Sequence, residues 1–186
     1  MQALETERLI LRKATEEDME DLYELYSQER VVELLPLALF TSLQDARDEL
    51  IWYEKILEEG SGMRWVIEEK LSSKVIGTCG FLYYEKEHNR IEIGYDLHPS
   101  YWGKGYMTEA LDTIIKYGFK DMNLNKIEAK AVVENSASAK VLVRLGFQQE
   151  GVLRQHEFEK GRYIDLAVYA ILSEKYEESL RRNDSV

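Results

Sequence analysis

At 186 residues with 45% hydrophobic side chains, the chain has the length of one compact domain and enough apolar material for a core. Its 35 acidic residues against 24 basic ones give a formal net charge of −11, which argues against direct nucleic-acid binding, because phosphate contacts need a basic footprint. The same charge suits either a cationic substrate drawn in from a distance or a merely soluble acidic surface.

The opening Met1-Gln2-Ala3-Leu4-Glu5 lacks the basic flank and apolar stretch of a secretory signal. No apolar run reaches the ~20 residues that span a bilayer, so a cytoplasmic protein without a membrane segment is expected. Residues 8–12 read as a short strand. Thr15-Glu16-Glu17-Asp18 then resembles a capping box, and Met19, Leu22, Tyr23 and Tyr26 continue it at helical spacing. A second helix begins near Ser42, with Leu43, Ala46, Leu50, Tyr53 and Leu57 on its apolar face, and stops at Gly60-Ser61-Gly62.

Three strands follow over residues 64–69, 75–84 and 90–98, joined by polar turns as an antiparallel meander. Cys79, the only cysteine, falls in an apolar run and reads as a buried, inert thiol, so neither a disulfide framework nor a CxxC metal site is available. A long helix carries Met107, Leu111, Ile114, Ile115, Gly118, Phe119 and Met122 on one face. Residues 126–133 read as a strand, 136–145 as a helix, and 148–155 with 163–172 as a closing hairpin around Lys160-Gly161-Arg162. Residues 173–186 form a charged tail, in which Asn183-Asp184-Ser185 fits a glycosylation pattern that has no meaning without a secretory signal. The order predicts an α+β fold with a mixed, mostly antiparallel sheet, not the strict alternation of a dinucleotide fold.

The stretch from Glu92 to Ala110 carries the chemistry. A strand ends at Pro99, a turn holds Gly103-Lys104-Gly105, and an amphipathic helix starts at once. Glycines there let the backbone turn tightly and present amides toward one point, and the positive helix end adds to an anion site suited to a pyrophosphate. Lys104 adds a flexible positive charge. A P-loop would need Gly-Lys-Ser/Thr, and a dinucleotide fingerprint would need a third glycine after an early strand.

This segment resembles the coenzyme-A-binding motif of GNAT acetyltransferases, Arg/Gln-x-x-Gly-x-Gly/Ala, with Gly103 and Gly105 on its glycines and Ser100 where Arg or Gln usually stands. Tyr101-Trp102-Gly103-Lys104-Gly105-Tyr106 followed by Thr108-Glu109-Ala110 is similar to the RimJ/RimL branch of protein N-terminal acetyltransferases. Thr6-Glu7-Arg8-Leu9-Ile10-Leu11-Arg12, Asn135-x-x-Ser138 with Leu145-Gly146-Phe147, Glu150 to Arg154 and Gly161 to Asp165 resemble further segments of that branch in the same order, over about residues 6–172.

The resemblance implies one domain over residues 1–186, with a sheet of about seven strands, four flanking helices and a V-shaped splay between the fourth and fifth strands. It implies acetyl-CoA as co-substrate and no metal. Leu97 and His98 would offer backbone groups to the pantetheine arm. The amides of Trp102, Gly103, Lys104, Gly105, Tyr106 and Met107 would bind the pyrophosphate, and Asn135 would hydrogen-bond the pantetheine or its thioester end. The reaction implied is direct attack of a neutral amine on the thioester.

Many members carry a tyrosine acid four residues before the Gly-Phe, but that position here is Leu142. Ser138 matches the serine of the RimL-like branch that hydrogen-bonds the departing thiolate, although a helix-capping hydroxyl has the same spacing. Glu92 is the carboxylate placed to serve as base or to hold the incoming ammonium, with a structural salt bridge as the other reading. Strand alternation sets Asp96 and His98 on its face as substitutes. The acceptor would be a protein N-terminus, with a ribosomal protein as family precedent, or a small amine. A non-catalytic acyl-CoA-binding module is a third reading, and a homodimer is compatible with all three.

Overall fold

The run Val75-Ile76-Gly77-Thr78-Cys79-Gly80-Phe81 has no exposed position, as expected of a strand covered on both faces. In the computed structural model, which describes residues 1–183, it forms the centre of a strand within a mixed α+β architecture. The elements in chain order are β1 (Leu4–Glu5), β2 (Leu9–Lys13), α1 (Met19–Tyr26), α2 (Glu29–Val32), α3 (Leu43–Glu58), β3 (Met63–Glu69), β4 (Lys74–Glu85) and β5 (Arg90–Leu97). After them come α4 (Tyr106–Lys120), β6 (Lys126–Val132), α5 (Ser136–Arg144), β7 (Gln148–Glu159), β8 (Arg162–Leu172) and α6 (Ser173–Asn183). Among the described residues there are thus eight strands and six α-helices, where the sequence suggested about seven and four. The additions are the two-residue β1, the four-residue α2, and α6 in the charged tail. Asp184 and Ser185 of the glycosylation-type triplet lie outside the described residues.

The chain forms two compact units, Met1–Tyr83 with Gly94–Ile114, and Tyr84–Ile93 with the described residues from Ile115 on. In the first, β1, β2, β3 and β4 pair antiparallel in sequence order, from Leu4↔Leu11 through Lys13↔Trp65 to Met63↔Phe81. Leu22, Leu25 and Tyr26 of α1 and Ala46, Leu50 and Tyr53 of α3 pack with Val66 and Val75 into one buried cluster. Both helices open where the sequence signalled. The Thr15 amide donates to Asp18 Oδ2 at 2.7 Å, ahead of a single 3-10 turn into α1, and the Thr41 and Ser42 amides donate to Asp45 Oδ2 at 2.7 and 2.9 Å. Leu43, expected on the apolar face, is exposed at the first position of α3, and Ile56 is buried near its end.

In the second unit, Arg90, Ile91 and Glu92 of β5 pair parallel with Lys126, Ile127 and Glu128 of β6. β6 runs antiparallel to β8, and β8 to β7. The closing turn has positive φ at Lys160 and Gly161, +49° and +81°, the twist that joins two right-handed strands tightly. β7 continues past its expected end because an irregularity between Leu153 and Glu157 is absorbed locally. Gln155 takes φ +49°, and its amide donates to Asp165 Oδ1 at 2.7 Å instead of to a ladder carbonyl. Among the described residues, no helix is long and apolar enough to cross a membrane.

Candidate active site

The glycine turn belongs to the first unit and is built from the end of β5. The His98 amide donates to Ile76 O at 2.8 Å, which carries strand pairing one residue past Leu97. Pro99–Tyr101 then makes one 3-10 turn, closed by Tyr101 N–H to His98 O at 2.9 Å and Trp102 N–H to Pro99 O at 3.2 Å. The His98 ring accepts from the Ser100 amide through Nδ1 at 3.3 Å. The Trp102 indole donates to Leu97 O at 2.7 Å, so this side chain buttresses the turn from behind.

Gly103 and Gly105 follow with φ of +73° and +81°, a region that costs an L-residue roughly 1–2 kcal/mol. The 15-residue α4 begins immediately, and Glu109 N–H to Gly105 O at 3.0 Å is the first bond at its start. Among the described residues, the amides of Gly103, Gly105, Tyr106 and Met107 donate to no protein acceptor, while Trp102 and Gly103 form the corner of a turn that closes on the Lys104 amide. They are the orphan donors of a helix N-terminus, extended backward by two left-handed glycines. A Cβ on Gly103 would meet nothing within 4 Å, so this position of the turn faces open space. Besides the Lys104 amide, three backbone groups expected to face a ligand are engaged within the protein. These are the Trp102 amide with Pro99, the Leu97 carbonyl with the Trp102 indole, and the His98 amide with Ile76. The diphosphate donors therefore narrow to the amides of Gly103, Gly105, Tyr106 and Met107.

Glu92, Asn135 and Ser138 belong to the second unit. Glu92 Oε2 lies 2.8 Å from Lys130 Nζ, with both side chains largely shielded from solvent. Burial pushes the Glu92 carboxyl above its ordinary value, Lys130 opposes that, and the neighbouring Glu128 and Glu157 add to it. Burial tends to lower the Lys130 ammonium, but its hydrogen bond to Glu92 and the same acidic neighbours outweigh burial and hold it above its ordinary value. Asn135 caps α5, its side chain accepting from the Ser138 amide at 3.0 Å. Ser138 is half-buried in the first turn of that helix. Leu142, at the position of the family tyrosine, is fully buried in the core.

Sequence reasoning missed a buried polar network in the first unit. Asp96, set aside as a substitute base, is ion-paired with Arg64. It also accepts from Tyr26 Oη at 3.0 Å, and Thr78 Oγ1 accepts from Arg64 Nη2 at 2.8 Å. Tyr26 and Tyr53 hydroxyls meet at 3.2 Å. A carboxylate locked in this way is a structural anchor for β5, and the alternation that set Asp96 beside Glu92 in the sequence carries no sign of its partner. Trp65 is fully buried, Trp52 is partly exposed on α3, and His156 lies exposed in the irregular part of β7. No group of three or more metal-ligating side chains exists among the described residues.

Comparison with known proteins adds to this geometry. The family model described as acetyltransferase (GNAT) domain matches residues 8–148. A Bacillus licheniformis protein named uncharacterized N-acetyltransferase p20 is 43% identical over 176 residues, covering 95% of this chain and 99% of its own. The crystal structure of an acetyltransferase (GNAT family) from Bacillus anthracis matches with a TM-score of 0.83 at 30% identity, over 93% of this chain and 99% of that one. Spermidine N-acetyltransferase from Vibrio cholerae, solved in complex with CoA and spermine, has the same fold with a TM-score of 0.80 at 24% identity, over 92% of this chain and 99% of its own.

Proposed function

The chain belongs to the GNAT acetyltransferase family, and on that premise we propose that it transfers the acetyl group of acetyl-CoA to the α-amine of a protein N-terminus, with residues 1–186 working as one catalytic domain in the cytoplasm. One observation carries the reading: four amides, those of Gly103, Gly105, Tyr106 and Met107, stand without protein acceptors at the start of α4, and Gly103 faces open space. That donor set, with the Lys104 ammonium, fits a diphosphate. Leu97, His98 and Asn135 would line the pantetheine arm, and the CoA moiety supplies the activated thioester.

The chain's own groups then handle protons. The nucleophile is a neutral amine, whose nitrogen bonds to the acetyl carbon as the carbon–sulfur bond breaks. In this reading Ser138 donates a hydrogen bond to the departing thiolate, and Glu92 receives the amine proton or holds the ammonium before it deprotonates.

The Glu92–Lys130 ion pair favours the α-amine. To take a proton, Glu92 would have to give up its ion pair with Lys130, so the acceptor best suited to the site is one that needs little help. An α-amine with pKa about 7.7–8.0 is ~10–20% neutral at pH 7, whereas an amine near 10.4 is under ~0.1% neutral. The likeness of residues 101–110 and 135–147 to the RimJ/RimL branch supports the same choice, with a ribosomal protein as the precedent. A small polyamine is the second reading, supported by the net charge of −11 and by the spermidine enzyme among the structural neighbours.

The test is free-thiol release from acetyl-CoA with two acceptor sets, unblocked peptides and polyamines, with mass spectrometry of the products. Acetylated peptide α-amines are expected. Turnover confined to polyamines would replace the acceptor, and tight CoA binding without turnover on either set would make the chain a binding module.

A further inference from the structure

The glycine turn is held in place by residues that lie outside it. Glu109, in the first turn of α4, collects four donors from one short N-terminal segment. Its Oε1 accepts from the Thr6 hydroxyl and from the Arg8 amide at 2.9 Å, and its Oε2 accepts from Arg8 Nε at 2.7 Å and lies 2.6 Å from Arg8 Nη2. With its charge in the first turn of the helix, the carboxylate also sits where the helix dipole favours it. The guanidinium so fixed reaches the turn itself. Arg8 Nη1 donates to Lys104 O at 3.0 Å, and its central carbon lies 4.1 Å from the Tyr106 ring centroid. Tyr106 is tethered in turn through its hydroxyl to Glu69.

We propose that Arg8 and Glu109 are positioning residues for the diphosphate-binding turn, setting the direction of its amides without contributing one. The physical link is the planarity of the peptide unit. In a trans peptide the carbonyl and the following amide point in opposite directions, so the bond that fixes Lys104 O on Arg8 also fixes Gly105 N–H away from it. Glycines at 103 and 105 make the turn possible but leave it loose, because glycine has the widest backbone freedom. Glu109 and Arg8 remove that freedom from the Lys104–Gly105 peptide, one of whose flanking residues is a glycine. Arg8 directs three of its five N–H groups to Glu109 and to the Lys104 carbonyl, the contacts by which it orients the turn.

This proposal rests on the CoA reading of the turn, and calorimetry separates the two. Wild-type protein, Arg8→Ala, Arg8→Lys, Glu109→Gln and the Arg8→Ala/Glu109→Gln double variant are titrated with CoA, and the wild type also with pantetheine. Arg8→Ala and Glu109→Gln are each expected to weaken CoA about tenfold or more, the scale of one hydrogen bond to a charged group. The double variant is expected to lose no more than the worse single one, because both act through one contact, and Arg8→Lys to recover part of the loss. In turnover the loss falls on KM for acetyl-CoA while kcat holds, a split that general damage to the fold does not produce.

CoA affinity within twofold of wild type in Arg8→Ala, or losses that multiply in the double variant, overturns the proposal. A wild type that binds CoA no better than pantetheine overturns the diphosphate reading of the turn and this inference with it.

Discussion

Lys130 Nζ lies 2.8 Å from Glu92 Oε2, so the strand carboxylate proposed to receive a proton is one half of an ion pair. The ammonium favours the charged form of Glu92 and opposes burial, which pushes the carboxyl up. Replacing Lys130 with Met removes the opposing influence, and the Glu92 pKa rises further. If Glu92 takes part in proton removal, the acid limb of the kcat/KM profile moves to higher pH in Lys130→Met. An acid limb that coincides with the wild-type one takes Glu92 out of the mechanism.

Ser138→Ala tests the other end of the reaction. The Ser138 backbone amide is held by the Asn135 side chain at 3.0 Å, an interaction that survives the substitution, so α5 keeps its cap. Loss of a hydrogen bond to the leaving thiolate is expected to lower kcat about tenfold or more, with CoA affinity nearly unchanged. Asn135→Ala should behave differently, losing about 1 kcal/mol of stability with the cap, visible as a lower denaturation midpoint. An unchanged kcat in Ser138→Ala removes the serine from the chemistry.

Gly103→Val separates strain from obstruction. The new side chain would meet no protein atom, so the folding cost is confined to the left-handed backbone at φ +73°, roughly 1–2 kcal/mol and more for a β-branched residue. The side chain enters the open space beside Gly103, where the proposed diphosphate would lie, and CoA binding should be lost altogether. Retention of wild-type affinity by calorimetry would show that the diphosphate binds elsewhere.

Cys79 is fully buried, and burial pushes its thiol up to about 12. At pH 8 the thiolate population is negligible and the sulfur is shielded, so a thiol-specific disulfide reagent should leave the native protein unlabelled and label it fully in denaturant. Fast labelling of native protein would mean that β4 opens locally.

What the sequence made legible is what depends on near neighbours. Strand-like runs bounded by turn signals located every strand longer than two residues. The three-and-four spacing located α1 and α3, and the two glycines announced a turn that does adopt positive φ at both. The four-residue α2 has too few residues for a period, and the two-residue β1 is ordered by its pairing with β2. Apolar character misassigned Leu43, which stands exposed at the first position of α3 because the buried cluster begins only at Ala46 on that helix. The site was half legible for the same reason. Spacing along the chain found the glycine turn and its amide donors, whereas Asn135 and Ser138 came from the family resemblance and the Asn135 cap on the Ser138 amide was not foreseen. Arg8 and Glu109 are 101 residues apart and Glu92 and Lys130 are 38 apart, so nothing local marks either pair. Asp96 and Glu92 look alike as strand carboxylates until Arg64 is seen against the first and Lys130 against the second.

Arg12 and Asp18 give the fold a dependence on acid that can be worked out in sign. Burial alone would raise the Asp18 carboxyl, but the Arg12 guanidinium, with Nη1 and Nη2 each 2.8 Å from a carboxylate oxygen, and the Thr15 amide outweigh it and hold the pKa below its ordinary value. A depressed carboxylate contributes stability that is complete above its unfolded pKa of about 3.9 and disappears as pH falls through the folded value. Asp18→Asn discards that contribution at every pH. At pH 7 it should therefore be less stable than wild type by about 1.5–3 kcal/mol, the range for hydrogen bonds to a charged group. The gap should narrow as the two proteins are compared at progressively lower pH below 4, because wild type then loses what the variant never had. Urea unfolding of both proteins at pH 7 and at two acidic values measures it. A gap that keeps its full size in acid would assign the loss to packing at the start of α1 and not to the ion pair.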